Sequence, residues 1–202
     1  MQAAQTVNST LAEALWPSNN RASSVGRSLF LVFAGSVLLT LSAKVQIPFY
    51  PVPMSMQTFV VLALGMALGS RLGTASVAFY LAQGAAGLPV FAGTPEKGIG
   101  LAYMMGPTGG YLLGFLFAAA LCGWLAERGW DRRVSTTALA LLIGNVAIYI
   151  PGLLYLGALV GWDKPVLEWG LTPFLLGDVT KLALAAAVMP AAWHLLKRFG
   201  RN

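Results

Sequence analysis

Hydrophobic and polar positions along this chain follow neither the 3.6-residue period of an amphipathic helix nor the two-residue period of a half-buried strand. They fall instead into long uncharged blocks separated by single charges or short charged clusters: 28–43, 45–70, 72–95, 98–126, 134–162 and 182–196. A helix needs about 20 mostly apolar residues to cross a bilayer, within a range of roughly 17–25. The blocks therefore predict six membrane-crossing helices near 29–46, 55–70, 72–90, 106–126, 136–160 and 171–196. The second is short, and the third runs into the helix-breaking sequence GLPVFAG. The predicted fold class is all-α, a polytopic membrane helix bundle with a membrane domain over 28–198.

The segment 1–27 has no apolar run behind a basic start, so it does not read as a cleavable secretory signal. Within it, STLAEALW (9–16) is either a short amphipathic helix at the membrane surface or a frayed polar tail.

Composition agrees with the block pattern. Hydrophobic residues make up 57% of the 202 residues and charged residues 10%, against about 25% charged in soluble domains. One cysteine (Cys122) and one histidine (His194) leave no disulfide framework, multi-cysteine metal site or histidine-rich zinc site. Cys122, among Ala, Leu and Gly, reads as an inert core thiol, and His194, beside Trp193, as an interfacial residue. The formal net charge is +6. Its placement explains it without nucleic acid. Nine basic residues fall on one side of the predicted spans (Arg21, Arg27, Arg71, Arg128, Arg132, Arg133, Lys197, Arg198, Arg201) and three on the other (Lys44, Lys97, Lys164). Basic residues accumulate in cytoplasmic loops, so both termini are expected to be cytoplasmic, in a multi-pass protein of the plasma or inner membrane. The opposite, external connections at 45–55, 88–107 and 161–172 are longer and rich in Pro, Gly and aromatics. They suit a lid over an outward-facing site.

Candidate chemistry centres on Asp178 and Lys181. They lie three residues apart in the last span, on one helical face. Charge at membrane depth is costly, and such pairs mark a substrate or ion path or else fix helix packing. Asn145 and Tyr149, one turn apart in the fifth span, read either as hydrogen-bonding groups for a polar ligand or as interhelical glue. The segment IPFYPVPMSMQT (47–58) has three prolines and is expected to be stiff and non-helical, capping the bundle or lining a cavity. There Phe49 and Tyr50 offer aromatic faces and Gln57 an amide, although Tyr50 alone also fits an ordinary interfacial anchor. Small residues four apart, at Gly65, Gly69 and Gly73 and at Gly106, Gly110 and Gly114, read as helix-packing faces.

No phosphate-binding Walker motif is present. Gly93 and Gly98 have its spacing, but Ile99 stands where Lys is required. Any ATP dependence must come from another chain. No nucleophile or metal constellation is visible, so an enzyme is not expected, and no cofactor.

IPFYPVPMSMQTF, GAAGLPVFAG (84–93), GPTGGYLLGF (106–115) and GDVTK (177–181), in this order, resemble the BioY family, whose members are biotin-specific substrate-capture (S) components of energy-coupling factor (ECF) transporters. The resemblance runs from about residue 28 to 198. It implies a six-helix membrane fold with a biotin site near the external face. It also implies partners: a transmembrane coupling subunit and two ATP-hydrolysing subunits. Asp178 and Lys181 match the family's GDxxK motif as ligand-binding positions, and the two loop motifs imply contacts from Phe49, Tyr50 and Phe91. Helix 1 lacks the Ala-xxx-Ala spacing used for docking on the coupling subunit, since Ala34 is followed four residues later by Leu38. The alternatives are an S component for a different vitamin and a stand-alone transporter that needs no ATPase partner.

Overall fold

The computed structural model describes residues 9–17 and 20–198; the remainder of the 1–27 segment and Arg201 lie outside these residues. Helix α1 (Leu11–Leu15) opens with a capping box in which Thr10 and Glu13 satisfy each other's backbone amides. Within the 9–16 stretch, residues 11–15 are thus helical, with Leu11 buried against Trp193 and Leu196. Helix α2 (Arg21–Lys44) is capped by the Asn20 side chain, which accepts from the Ser23 amide. It starts at Arg21 rather than near 29. The short strands β1 (Gln46–Ile47) and β2 (Met54–Ser55) pair antiparallel and close the proline-rich segment into a hairpin. Beyond them follow α3 (Gln57–Ala85), α4 (Gly100–Met104), α5 (Gly109–Ala126), a single 3₁₀ turn at Trp130–Arg132, α6 (Val134–Val160), α7 (Val166–Gly170) and α8 (Thr172–Arg198).

Among the described residues, five helices are long and apolar enough to cross a membrane, against the six spans predicted. The difference lies in α3, two helical arms that follow one another directly in sequence but change direction at Gly69. Gly69 has φ 82° and ψ 174°, a conformation open to glycine and strained for other residues. A Cβ on Gly73 would sit 2.8 Å from the Cα of Gly65, and the Gln57 amide nitrogen lies 2.6 Å from the Tyr80 hydroxyl. Residues 23 positions apart would be about 35 Å apart on a straight helix. The two halves, 57–68 and 70–85, therefore run antiparallel, and the predicted second and third spans are the arms of this hairpin. Gly69 itself makes the turn rather than a packing face. Glu127 accepts from the Ser70 amide (2.7 Å) and hydroxyl (2.8 Å), which places a carboxylate at the start of the second arm.

The core is built around α5, which packs along its length on α3 on one side and on α6 on the other. Glycines set the spacing. A Cβ on Gly65 would meet the Ala119 carbonyl of α5 at 2.6 Å, and one on Gly114 would meet the Ile148 Cα of α6 at 2.7 Å. Gly110 likewise abuts Pro151 and Gly152 of α6. Such contacts bring backbones close enough for dispersion to act between helices that lipid does not drive together. Helix α2 is peripheral: 22% of its apolar window is buried, against 61% for α5.

Helix α1, the Gly69 turn, the 127–133 turn and the end of α8 meet at one end of the bundle. The Trp193 indole donates to Asp131 there, and Arg132 lies 4.6 Å from the Trp193 ring. Lys44 and the 86–99 loop occupy the opposite end.

Candidate functional site

A cavity opens between the 52–58 segment, the 88–99 loop, the N-terminal part of α5, the middle of α6 and the first turns of α8. Its walls are apolar and aromatic: Val52, Pro53, Met54, Ala92, Tyr103, Tyr111, Leu112, Phe115, Ile148, Tyr149 and Phe174. Polar groups enter at Ser55, Gln57, Thr58, Thr108, Asp178 and Lys181. A concave apolar site with a few placed polar groups is the usual form of a small-molecule site.

The electrostatic centre is on α8. Asp178 is buried, and its side chain and that of Lys181 retain only 5% and 11% exposure. Lys181 Nζ lies 3.2 Å from Asp178 Oδ1. It also donates to the Ser55 carbonyl (2.8 Å) and the Thr58 hydroxyl (3.1 Å). An ammonium has three protons, and all three are engaged. Asp178 Oδ2 accepts from the Asn145 amide at 3.1 Å and from the Tyr149 hydroxyl. Two carboxylate oxygens offer about four acceptor positions. Three are used, so one remains for a donor from the cavity.

Asn145 and Tyr149 therefore converge on Asp178 from α6, and of the two only Tyr149 lines the cavity. Gln57, at the head of α3, faces the cavity while its amide donates to the Tyr80 hydroxyl. Its carbonyl oxygen accepts from Ser55 at 3.1 Å. Phe49, Tyr50 and Phe91 stand behind or beside the wall. Phe49 packs edge-on against Phe174, with centroids 6.2 Å apart. Tyr50 is 88% exposed. Phe91 is fully buried, stacked on Tyr103 (4.9 Å, 17°) and edge-on to Tyr80 (5.4 Å) in a hole left by Gly84. Of the three connections expected to be external, 45–55 and 88–107 contribute lining residues and 161–172 does not. The latter's short helix α7 instead accepts a hydrogen bond from the Tyr111 hydroxyl at the Gly170 carbonyl, 2.8 Å away.

Several lining residues were not singled out from the sequence. Phe174, Asp178 and Lys181 follow at i, i+4 and i+7, and Tyr111 and Phe115 at i and i+4, so the helical spacing carried a signal for both sets. Tyr103 and Thr108, in a short helix and a turn, had no such period.

A sequence model of the BioY family matches residues 14–198. The biotin transporter BioY of Thermotoga maritima is 37% identical over 164 residues, covering 78% of this chain and 92% of that protein. Biotin transporter BioY2 of Lactococcus lactis is 29% identical over 176 residues, covering 85% and 95%. The fold is similar to the crystal structure of the S-component for biotin from an ECF-type ABC transporter. The TM-score is 0.69 at 25% identity, over 86% of this chain and 94% of that one. Five apolar helices of spanning length, one of them doubled back, and a match across nearly the whole chain make this a multi-pass membrane protein, and the chain belongs to the BioY family.

Proposed function

We propose that this chain captures biotin from outside the cell and takes part in its uptake as the S component of an ECF-type transporter. The observation that carries the reading is a buried Asp178 with one acceptor position left, facing a cavity walled by aromatic rings. Biotin matches that chemistry. Its ureido N–H groups suit the Asp178 carboxylate, and its bicyclic ring has apolar surface for Tyr111, Phe115 and Phe174. The three engaged protons of Lys181 favour a role in fixing the 55–58 segment and holding the charge of Asp178, with its contact to ligand made along that frame. Gln57 supplies a further amide. Asn145 orients Asp178 from behind, while Phe49 and Phe91 back the wall.

The absence of a Walker motif in the sequence and the likeness to an S-component of an ABC transporter support partnership with a transmembrane coupling subunit and two ATP-hydrolysing subunits in the plasma membrane. The positive-inside distribution supports cytoplasmic termini and an outward-facing cavity.

Titration of biotin into Asp178→Asn and Lys181→Met tests the site. Asp178→Asn removes the charged acceptor for the ureido N–H groups, a hydrogen bond worth about 1.5–3 kcal/mol, and Lys181→Met leaves the Asp178 charge buried without its partner, so both variants should lose binding by a factor of about 10–100. Near-unchanged affinity in both would sink the assignment.

A further inference from the structure

The 89–92 stretch of the external loop forms no β-ladder, yet its four carbonyls all accept hydrogen bonds, and they do so alternately from two sides. Those of Val90 and Ala92 accept from Tyr80 (3.2 Å) and Tyr103 (2.7 Å) on the inner side. Those of Pro89 and Phe91 accept from the ammonium of Lys44, at 2.8 and 3.2 Å. Lys44 is the last residue of α2, and its ammonium also lies 3.1 Å from the Thr94 carbonyl and 3.0 Å from the Thr94 hydroxyl. Among the described residues, the hydrogen-bond partners of this cation thus all lie on the loop that brings Ala92 to the cavity, and they are carbonyl and hydroxyl dipoles rather than a carboxylate.

We propose that Lys44 is a positioning residue that clasps the 88–98 loop from outside, so that the loop stands as a preformed wall of the cavity and controls how fast ligand leaves. The clasp ties the peripheral helix α2 to the loop, and the loop is tied in turn to the ligand-facing Gln57 through Tyr80. An ammonium suits this place, because three donors radiate from one atom towards converging carbonyls. The planar fork of arginine does not reproduce that pattern. The kinetic part rests on the biotin reading; the ordering of the loop does not.

The test uses the full chain in detergent, with Lys44→Met, Lys44→Arg and Thr94→Val. Backbone hydrogen exchange is followed without ligand at the Lys97 and Gly98 amides, which donate to Gly93 and Pro95. Dissociation of preloaded labelled biotin is followed separately. Loss of charge-assisted hydrogen bonds should speed exchange at these two amides, and biotin release, by about tenfold or more in Lys44→Met. Exchange in α5 and α6 should not change. Lys44→Arg should recover only part of the effect. The Lys44→Met and Thr94→Val effects should be less than additive in the double variant, because the two side chains share one contact. Where Lys44→Met does not fold, Thr94→Val alone decides. Unchanged loop exchange in the variants overturns the clasp. Faster exchange with unchanged biotin release overturns its control of ligand exit. Faster exchange in a chain whose wild type binds no biotin upholds the clasp and rejects the biotin reading.

Discussion

At the scale of single residues, the site turns on how many donors a buried carboxylate can satisfy. Asp178 takes one bond from its own helix, at Lys181, and two from α6, at Asn145 and Tyr149. Tyr149→Phe removes one donor and keeps the ring, so biotin affinity should fall by a factor of about 10–100, as expected for one hydrogen bond to a charged group. Isothermal titration checks this, and loss beyond about 100-fold would mean that Tyr149 does more than orient Asp178. The i, i+3 spacing of Asp178 and Lys181 was legible in the sequence because helical geometry is regular. The shared attachment of Asn145 and Tyr149 to Asp178 was not, since it depends on how α6 meets α8. Nor did local pattern place Phe91 under the loop rather than on the cavity surface. Its position is set by Tyr103 and by the hole at Gly84. A Cβ at Gly84 would enter the Phe91 ring, so Gly84→Ala should displace the loop and weaken biotin binding more than Gly26→Ala. Gly26, on α2, has open space for a methyl group.

Among the elements, the α3 hairpin explains why block length alone gave a short second span. Its first arm, 57–68, is about 18 Å long, well under the roughly 30 Å of a bilayer core. The non-helical 45–56 segment precedes it, with β1 and β2 pairing part of its backbone and Lys181 binding the Ser55 carbonyl. Irregular backbone at membrane depth is tolerated where protein satisfies it in this way. The charge at Arg71 marked the reversal in the sequence. The glycine spacings marked the close crossings, although Gly69 turned out to shape the turn. At the α5–α6 crossing, Gly114→Leu inserts a side chain where Ile148 backbone stands. It should lower thermal stability in detergent by several degrees, and an unchanged melting temperature would contradict the crossing.

The whole molecule divides into a ligand end and a basic end. The basic end holds an acidic residue, Asp131, buried beneath Arg132 and Trp193. Burial pushes its carboxyl above the usual aspartate value, while the hydrogen bond from Trp193 and the charge of Arg132 oppose the shift. A carboxyl raised in the folded state binds its proton more tightly there than in the unfolded chain. Its contribution is most favourable below about pH 4, the ordinary aspartate range, and declines as pH rises through the folded value. Melting curves from pH 4 to 8 should therefore show the wild type losing stability relative to Asp131→Asn as pH increases. Parallel curves would mean that Asp131 is not held in that state. The separation of the two ends was readable from the placement of Lys and Arg, because that bias reflects membrane insertion and not packing. The proposed biotin site lies at the opposite end, in the cavity. Equilibrium binding of labelled biotin to the purified chain alone, competed with other vitamins, decides whether that cavity takes biotin. Saturable, biotin-selective binding at one site per chain is the predicted result. Equal competition by unrelated vitamins, or no binding by a folded preparation, would contradict it.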